Sequence, residues 1–193
     1  DIPTVFGIAI FLGFMIALFF VHGYDVYLYS YGFVLPAFLL VGVGALDDAI
    51  GVPFRYRFAV QVVAGLIMTL AGGLVIDQLG ELLIPGMEIN LGLLAVPFTI
   101  FFLLGLVNAF NLCDGIDGLA GSLALVALLG LGTVALIGGQ FMILLELSFL
   151  VICLLAFLAF NARFPGHSRA TIYLGDSGST FLGFAVLWFS ITM

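Results

Sequence analysis

The chain has 193 residues, of which 64% are hydrophobic and only 8% are charged. Its mean hydropathy is +1.37, whereas a soluble domain of this size carries about 25% charged residues. These values exclude a water-soluble globular domain and indicate a protein whose main solvent is lipid. The formal net charge is −7, and we expect the membrane, and no nucleic acid, among its partners.

Seven apolar stretches are long enough, or nearly long enough, to cross a bilayer as helices. A spanning helix needs about 20 residues, because each residue rises about 1.5 Å and the hydrocarbon is about 30 Å thick. These stretches predict an all-α polytopic membrane protein in which residues 1–193 form a single transmembrane domain. We expect helices at Ile2–Val21, Tyr27–Leu46, Phe58–Ile76, Leu91–Phe110, Leu119–Ile137, Phe141–Phe160 and Ser177–Met193.

The polar connections between these stretches divide into two groups. Those that follow an even-numbered stretch open on one side of the membrane, and they are Asp47–Arg57, Asn111–Gly118 and Asn161–Asp176. On the odd-numbered side, the Pro-Gly turn within Ile84–Asn90 suggests a small β-hairpin. Parity therefore brings three polar loops into one neighbourhood.

The basic residues indicate which side faces the cytoplasm. All of them lie in the even-side loops: Arg55, Arg57, Arg163 and Arg169. Cytoplasmic loops carry an excess of Lys and Arg, so the even side is predicted to be cytoplasmic. The odd side has acidic residues without Lys or Arg: Asp25, Asp77, Glu81 and Glu88.

The even-side loops also contain a group of carboxylates: Asp47, Asp48, Asp114, Asp117 and Asp176. Such groups are costly near lipid and usually face a polar cavity or an ion. Gathered together they would repel one another, so this face needs a cation. Carboxylate oxygens suit Mg²⁺, which typically takes one or two carboxylates together with water and substrate phosphate.

Structural explanations compete with a functional one for each motif. Asp47 and Asp48 are consistent with a solvated pair at a helix end. Gly175–Ser179 is consistent with a phosphate seat at a helix N-terminus, or simply with Asp176 as an N-cap. Capping also explains one or two members of a set that recurs every three residues, but not all four: Asn108, Asn111, Asp114 and Asp117.

Together, the loops resemble those of the polyprenyl-phosphate N-acetylhexosamine-1-phosphate transferases, or bacterial glycosyltransferase family 4. This membrane family includes the bacterial enzymes that start lipid-linked O-antigen, teichoic acid and peptidoglycan precursors. The order of the loops and the spans between them match over essentially the whole chain. The strings that carry the resemblance are GALDDAIGVPFRYRFAVQ (44–61), NAFNLCDGIDGLAG (108–121), FNARFP (160–165) and IYLGDSGSTFLGF (172–184).

The resemblance implies transfer of a sugar 1-phosphate from a UDP-sugar to undecaprenyl or another polyprenyl phosphate, with release of UMP. It also implies a requirement for Mg²⁺, with Mn²⁺ as a substitute. The motifs look closer to the branch that uses UDP-N-acetylglucosamine than to the phospho-MurNAc-pentapeptide transferases. The implied location is the bacterial inner membrane with the active site on the cytoplasmic face, and a homodimer is a candidate assembly.

The family's catalytic and metal positions carry over residue by residue. Asp47 and Asp48 match its paired catalytic aspartates, and Asp176 matches its metal-binding aspartate. Asp48 is a candidate second ligand to the metal. Asp114 and Asp117 match the nucleotide-site loop and are further catalytic candidates.

Five residues are expected to bind substrate on the same resemblance. Asn108 and Asn111 belong to the nucleotide-site loop. Tyr173 stands where the family often has an aromatic residue that stacks on uracil. Arg57 stands at the basic position after the paired aspartates, and Arg55 is a second candidate cation there.

The family fold extends beyond this sequence. Seven helices of about 20 residues each would be a fragment of a family fold of roughly ten or eleven. The family's N-terminal helix with its basic loop, and its C-terminal helices with a His-rich loop, have no counterpart here. We therefore expect the chain to be a piece of a longer protein.

Phosphate chemistry favours the same assignment. The acceptor is a phosphate monoester whose second pKa of about 6 leaves it largely dianionic at neutral pH, so charge neutralisation matters more than a strong base. Asp47 would then orient the acceptor, take a proton or attack directly in a two-step route.

Two other classes of protein compete with the enzyme. A cation channel or transporter should have acids along a path through the membrane, but only Glu146 falls within a predicted span. A purely structural membrane subunit leaves the clustered aspartates unexplained.

Overall fold

A computed structural model describes residues 6–23, 30–81, 86, 88–163 and 169–193. Within these ranges the predicted stretches are confirmed as helices, with ends that differ by a few residues; the predicted starts at Ile2 and Tyr27 lie outside the described residues. We number them α1 (Phe6–His22), α2 (Leu35–Ile50), α3 (Phe54–Leu66), α4 (Ala95–Cys113), α5 (Leu119–Ile137), α6 (Phe141–Asn161) and α7 (Gly175–Thr192). Single π-turns at Ser30–Val34 and Ile67–Ala71 extend α2 and α3, and a 3₁₀ turn at Gly92–Leu94 precedes α4.

Five of the helical segments are long and apolar enough to cross a membrane: Tyr31–Ile50, Phe54–Ala71, Gly92–Cys113, Leu119–Ile137 and Phe141–Asn161. The helix Phe6–His22 is apolar but shorter. This architecture confirms a polytopic, all-helical membrane protein. Pro36 does not end the helical segment Tyr31–Ile50. It lies just after the π-turn Ser30–Val34, and membrane helices tolerate proline where such local adjustments re-satisfy the backbone.

The predicted outer-side hairpin is reduced to an isolated antiparallel bridge between Gln78 and Asn90. The backbone N–H of Leu79 donates to Ile89 at 2.9 Å, and the N–H of Leu91 donates to Asp77 at 2.8 Å. No β-strand forms in the described ranges. Part of the turn, residues 82–85 and 87, lies outside them.

Helix α7 occupies the centre of the bundle. It packs against α1, α2, α4 and α5, while α3 lies between α2 and α4 on the outside. Its residues from Ser177 to Phe189 are all buried. The hydroxyls of buried Ser179 and Thr180 bond to the helix backbone, as when Thr180 Oγ1 donates to the carbonyl of Asp176 at 2.7 Å. The buried hydroxyl of Ser177, in contrast, has no hydrogen-bond partner among the described residues. A helix surrounded by protein does not need a continuous apolar surface, so α7 is less apolar than the helices that surround it.

Close backbone contacts fix the N-terminal end of α7. A Cβ added to Gly7 of α1 would lie 2.2 Å from the nitrogen of Gly178, and one added to Gly44 of α2 would lie 2.5 Å from the nitrogen of Ser177. Real side chains do not approach so closely, so these positions require glycine. The first turns of α7 are therefore held tightly between α1 and α2.

The acid inside the membrane region, Glu146, is buried with 1% of its surface exposed. Its Oε1 lies 2.8 Å from Nε2 of His22, which links the end of α1 to α6. This contact agrees with a bond between neighbouring helices. It lies in the odd-side half of the bundle, away from the aspartates.

Candidate active site

The predicted loops meet at one end of the bundle, and Arg57 connects them. Its Nη1 contacts a carboxylate oxygen of Asp47 and lies 3.0 Å from Oδ2 of Asp176. Its Nη2 donates to Oδ1 of Asn111 at 3.1 Å. The ends of α2, α3, α4 and α7 are thus joined through one guanidinium. Only 16% of the Arg57 side chain is exposed, so this charge is largely removed from water.

The amide of Asn111 continues this network into α7. Its Nδ2 donates to Asp176 Oδ1 at 2.5 Å and to Ser179 Oγ at 3.2 Å. Asn108, one turn earlier, donates to Gln61 Oε1 at 2.9 Å. Gln61 is itself buried, so Asn108 holds α4 against α3 and lies one turn below the charged groups.

Carboxylates from two other helices accept the first N–H groups of α7. The N–H of Asp176 donates to Asp48 Oδ1 at 2.8 Å, and that of Ser177 lies 3.3 Å from Asp48 Oδ2. The N–H of Gly175 bonds to the carboxylate of Asp114. The N–H groups of this terminus are therefore bonded to protein carboxylates and do not form a free phosphate-binding site. Asp176 lies within the first turn, and Leu174 is the N-cap.

The environment of Asp114 disfavours its charged form. Burial raises the pKa of this carboxyl to about 7, and the like charges of Asp176 and Asp48 add to the shift. The hydrogen bond from Gly175 opposes it. We call Asp47, Asp48, Arg57, Asn111, Asp114 and Asp176 the aspartate cluster; it has one arginine for four carboxylates.

Asp117 lies at the edge of this region and bonds the connection between α6 and α7. Arg163 Nε donates to Asp117 Oδ2 at 2.9 Å, and the N–H of Ala170 lies 3.3 Å from the same oxygen. The hydrogen bond from Arg163 lowers the pKa of Asp117, and the bond from Ala170 lowers it further. Asp117 is therefore ionised and already paired with a cation.

Buried Asn161 joins the same two loops from below. Its Oδ1 accepts from the N–H of Gly118 at 2.8 Å, and its Nδ2 donates to the carbonyl of Ile172 at 2.8 Å. Only 4% of this residue is exposed. The loop with Asp114 and Asp117 is thereby fixed to the segment that leads into α7.

Two predicted substrate-binding residues lie apart from the aspartate cluster. Arg55 is exposed, and its guanidinium lies 5.6 Å from the ring centroid of Tyr56; it forms no ion pair within the described residues. Tyr173 is 37% exposed and has no ring contact in that same part of the chain. Both side chains remain available to a ligand, and their predicted roles remain predictions.

Mg²⁺ is the predicted cofactor, and the donor set can be compared with its requirements. Across the described ranges, no three His, Cys, Asp or Glu side chains are grouped closely enough to hold a metal ion. Asp48, Asp114 and Asp176 all accept hydrogen bonds already. Asp176 and Asp114 are less exposed than Asp48 and repel each other, which makes them the better candidates. Two carboxylates with water and substrate phosphate suit Mg²⁺, and a divalent cation would relieve the repulsion that acts on Asp114. The residues therefore fit an open Mg²⁺ site completed by substrate.

Several contributors were not among the predicted site residues: Gln61, Asn161, Arg163 and Ser179. All four lie within the strings that carry the resemblance, with Gln61 as the last residue of 44–61, so the motifs carried a signal. That signal did not distinguish a hydrogen bond to the backbone from a contact with substrate.

Comparison with known proteins identifies the family. The family model for glycosyl transferase family 4 matches residues 30–193. Over 191 residues, covering 97% of this chain and 50% of the relative, the sequence is 31% identical to the undecaprenyl-phosphate alpha-N-acetylglucosaminyl 1-phosphate transferase of Escherichia coli (strain K12). Identity is 34% to the enzyme of that name from Yersinia pestis, with the same coverage.

A Bacillus subtilis (strain 168) protein, named as a probable undecaprenyl-phosphate N-acetylglucosaminyl 1-phosphate transferase, is 34% identical over 95% of this chain and 49% of its own length. The chain thus spans about half the length of the curated relatives it matches. The family match covers most of the chain and includes every residue of the aspartate cluster. The chain belongs to glycosyl transferase family 4.

Proposed function

We propose that the full-length protein transfers N-acetylglucosamine 1-phosphate from UDP-N-acetylglucosamine to undecaprenyl phosphate and releases UMP. The names of the relatives support this substrate pair. The observation that carries the proposal is the aspartate cluster, in which Arg57 contacts Asp47, Asp176 and Asn111 from three different helices. A channel would not need a cation held against acids at one end of the bundle.

The chemical problem is the approach of two anions. The acceptor phosphate is largely dianionic at neutral pH, and the donor is a charged diphosphate. Catalysis of phosphoryl transfer is mainly positioning and electrostatic stabilisation. Arg57 is a fixed, largely desolvated cation, so its field is stronger than that of an exposed arginine. It neutralises part of the charge that accumulates as the phosphates meet.

The proposed transfer is a direct displacement. An oxygen of the acceptor phosphate forms a bond to the β-phosphorus of the UDP-sugar, and the bond from that phosphorus to the oxygen bridging to the α-phosphorus breaks. The bond electrons leave with UMP, and no proton needs to be removed from a dianionic acceptor. Asp47 suits an orienting role, because one of its oxygens accepts the N–H of Val52 at 2.6 Å and the other contacts Arg57.

Mg²⁺ is part of this proposal, with Asp176 and Asp114 as the residues that would hold it. When bound, the ion supplies Lewis-acid stabilisation of charge on the phosphates. Asn111 holds Asp176 in place through its amide. The pair of Asp117 and Arg163, together with exposed Tyr173, borders the space that we assign to the nucleotide.

The site is proposed to face the cytoplasm of a bacterial inner membrane. All the arginines of the sequence lie in the loops at this end of the bundle, as the positive-inside rule expects of a cytoplasmic face. A UDP-sugar is charged and cannot cross the hydrocarbon unaided. A donor present in the cytoplasm can therefore reach only a site that faces the cytoplasm. The lipid phosphate would approach the same end from the plane of the bilayer.

The test is a transfer assay on the full-length protein in detergent. UDP-N-acetylglucosamine labelled in the sugar, undecaprenyl phosphate and Mg²⁺ should give labelled lipid and equimolar UMP. The control replaces the donor with UDP-MurNAc-pentapeptide, which should give much less lipid product. Transfer from the pentapeptide donor alone would move the protein to the other branch of the family, and no transfer from either donor would refute the proposal.

A further inference from the structure

Adjacent Asp47 and Asp48 have different partners because they lie on different faces of α2. Successive residues of an α-helix are rotated by about 100°. Asp47 contacts Arg57 of α3, whereas Asp48 contacts the backbone of α7. The paired motif therefore divides into one residue that contacts a side chain and one that contacts a helix terminus.

A stripe of α2 with four-residue spacing faces the first turns of α7. Thr180 Oγ1 lies 3.3 Å from the carbonyl of Leu40. Gly44, four residues later, lets the backbone of Ser177 approach to a distance that a Cβ would block. Asp48, four residues later again, accepts the N–H groups of Asp176 and Ser177. Such spacing places all these residues on one face of a helix.

The start of α7 needs an acceptor from elsewhere. The first N–H groups of a helix have no partner within it, and an N-cap side chain usually accepts those of the second and third helical residues. Leu174 is the N-cap here and makes no side-chain capping bond. Asp176 and Ser177 are the second and third residues of α7, and their N–H groups are the ones that Asp48 accepts.

We propose that Asp48 is a positioning residue that caps α7 from α2 and thereby fixes the carboxylate of Asp176. The proposal rests on the proposed function only for its catalytic consequence. Asp176 lies in the turn that Asp48 holds, so fraying of that turn would move Asp176 away from Arg57 and Asn111. This role differs from that of a second metal ligand, which was the role predicted for Asp48 from the sequence.

Substitutions separate capping from charge. Asn keeps an oxygen at the same distance and caps helices as well as Asp does, whereas Glu keeps the charge on a longer side chain. The extra methylene of Glu displaces its carboxylate from the two N–H groups, and position 48 is exposed, so the longer side chain can turn toward solvent. Capping therefore predicts that the first turn of α7 is as well ordered in Asp48→Asn as in the wild-type protein. It also predicts that this turn frays in Asp48→Glu as it does in Asp48→Ala. Direct metal binding predicts the reverse order.

The first measurement is hydrogen–deuterium exchange of the full-length protein in detergent without divalent cations. Loss of a cap should speed exchange in the peptide covering residues 174–181 by roughly 2- to 30-fold in Asp48→Glu and Asp48→Ala, but not in Asp48→Asn. Asp77→Asn, which removes an exposed carboxylate on the odd side, is the control and should leave this peptide unchanged. Equal exchange in all three Asp48 variants would overturn the proposal.

The second measurement is the affinity for Mn²⁺ alone, titrated by electron paramagnetic resonance. Asp48→Asn should bind Mn²⁺ about as well as wild type, whereas Asp176→Asn should lose roughly tenfold or more. Loss of Mn²⁺ affinity in Asp48→Asn with retention in Asp48→Glu would overturn the proposal. Neither measurement uses a sugar donor, so the cap stands or falls independently of the proposed transfer reaction.

Discussion

Arg57 is the residue on which the electrostatics of the aspartate cluster depend. Its guanidinium has two contacts through Nη1 and one through Nη2, a fork that an ammonium group cannot reproduce. Arg55, two residues earlier, is exposed and points its charge at the ring of Tyr56. Removal of Arg57 would therefore leave two carboxylates without their cation, whereas removal of Arg55 would leave no carboxylate unpaired within the described residues.

The matched pair Arg57→Lys and Arg55→Lys tests this difference. Loss of one hydrogen bond between charged groups costs about 1.5–3 kcal/mol, so Arg57→Lys should lower kcat/KM by roughly 10- to 150-fold. Arg55→Lys should have a much smaller effect, because it keeps an exposed positive charge. Steady-state kinetics on the full-length protein measures both variants. Equal losses would show that the loop acts through net charge and not through the fork of Arg57.

Asp114 makes stability depend on pH in the absence of divalent cations. Its pKa is raised from 3.8 to about 7 in the folded protein, so the folded state binds a proton that the unfolded state has lost. The free energy of unfolding should fall as the pH rises from about 4 to about 7, because the carboxyl ionises in the unfolded state but stays protonated in the folded state. Above about pH 7 both states are ionised, and the free energy of unfolding should level off.

The melting temperature of the full-length protein in EDTA, followed between pH 5 and pH 8, measures this effect. Asp114→Asn should reduce the slope, since its amide does not titrate, and should leave the part that comes from Asp176, whose pKa is raised by burial to about 6. Mg²⁺ should reduce the slope in the wild-type protein by favouring the carboxylate. A profile that keeps its full slope in Asp114→Asn would assign the titration to another group.

At this scale the sequence predicted residue types better than partners. Parity alone gathered the aspartates on one side, and the loops do meet. It did not separate Asp47 from Asp48, because neighbouring residues diverge only once the rotation of α2 against α7 is known. The buried partner Gln61 was also missed, because the motif 44–61 includes it but does not show which side chain its amide contacts.

At the scale of elements, the central position of α7 was not predictable from its composition. Glycine, serine and threonine in its first half resemble a loop or a ligand-binding turn. They pack instead against α1 and α2, where small side chains allow close approach. The helix boundaries were predictable within a few residues because lipid requires long apolar runs. Such runs do not indicate which helix is surrounded by the others.

Gly44→Ala tests whether the close contact of α2 with α7 positions the cluster. The added Cβ would lie 2.5 Å from the nitrogen of Ser177 and 2.6 Å from the carbonyl oxygen of Asp176. Overpacking of this kind costs about 1–3 kcal/mol, and backbone cannot rotate out of the way. We therefore expect a lower melting temperature in detergent and a loss of transfer activity.

Gly42→Ala is the matched control on the same helix. A Cβ at Gly42 meets no atom within 4 Å, and alanine is the better helix former by about 1 kcal/mol. Its melting temperature should equal or exceed that of the wild-type protein, with activity retained. If Gly44→Ala were as stable and active as Gly42→Ala, α7 would have room to shift without disturbing Asp176.

At the scale of the whole molecule, charge and chemistry are concentrated at one end of the bundle. The opposite end contains the pair of His22 and Glu146 and the bridge between Gln78 and Asn90. Contacts between loops far apart in the sequence, such as Arg163 with Asp117, require that these loops share a side. The packing thus supports the parity argument, and the arginines are the basis of the proposed orientation of the bundle in the membrane.

Single cysteines in a background without Cys113 and Cys153 test that orientation. Exposed positions are Ile116 in the loop after α4, Arg169 before α7 and Glu88 at the other end. If the arginine-rich end faces the cytoplasm as proposed, a membrane-impermeant maleimide should label Ile116→Cys and Arg169→Cys in inverted vesicles and Glu88→Cys in right-side-out vesicles. Labelling of Ile116→Cys and Arg169→Cys from opposite sides would contradict the placement of these loops at one end of the bundle, and with it the aspartate cluster. Labelling of both from outside would keep the cluster but place it where a cytoplasmic UDP-sugar cannot reach it, which would refute the proposed donor.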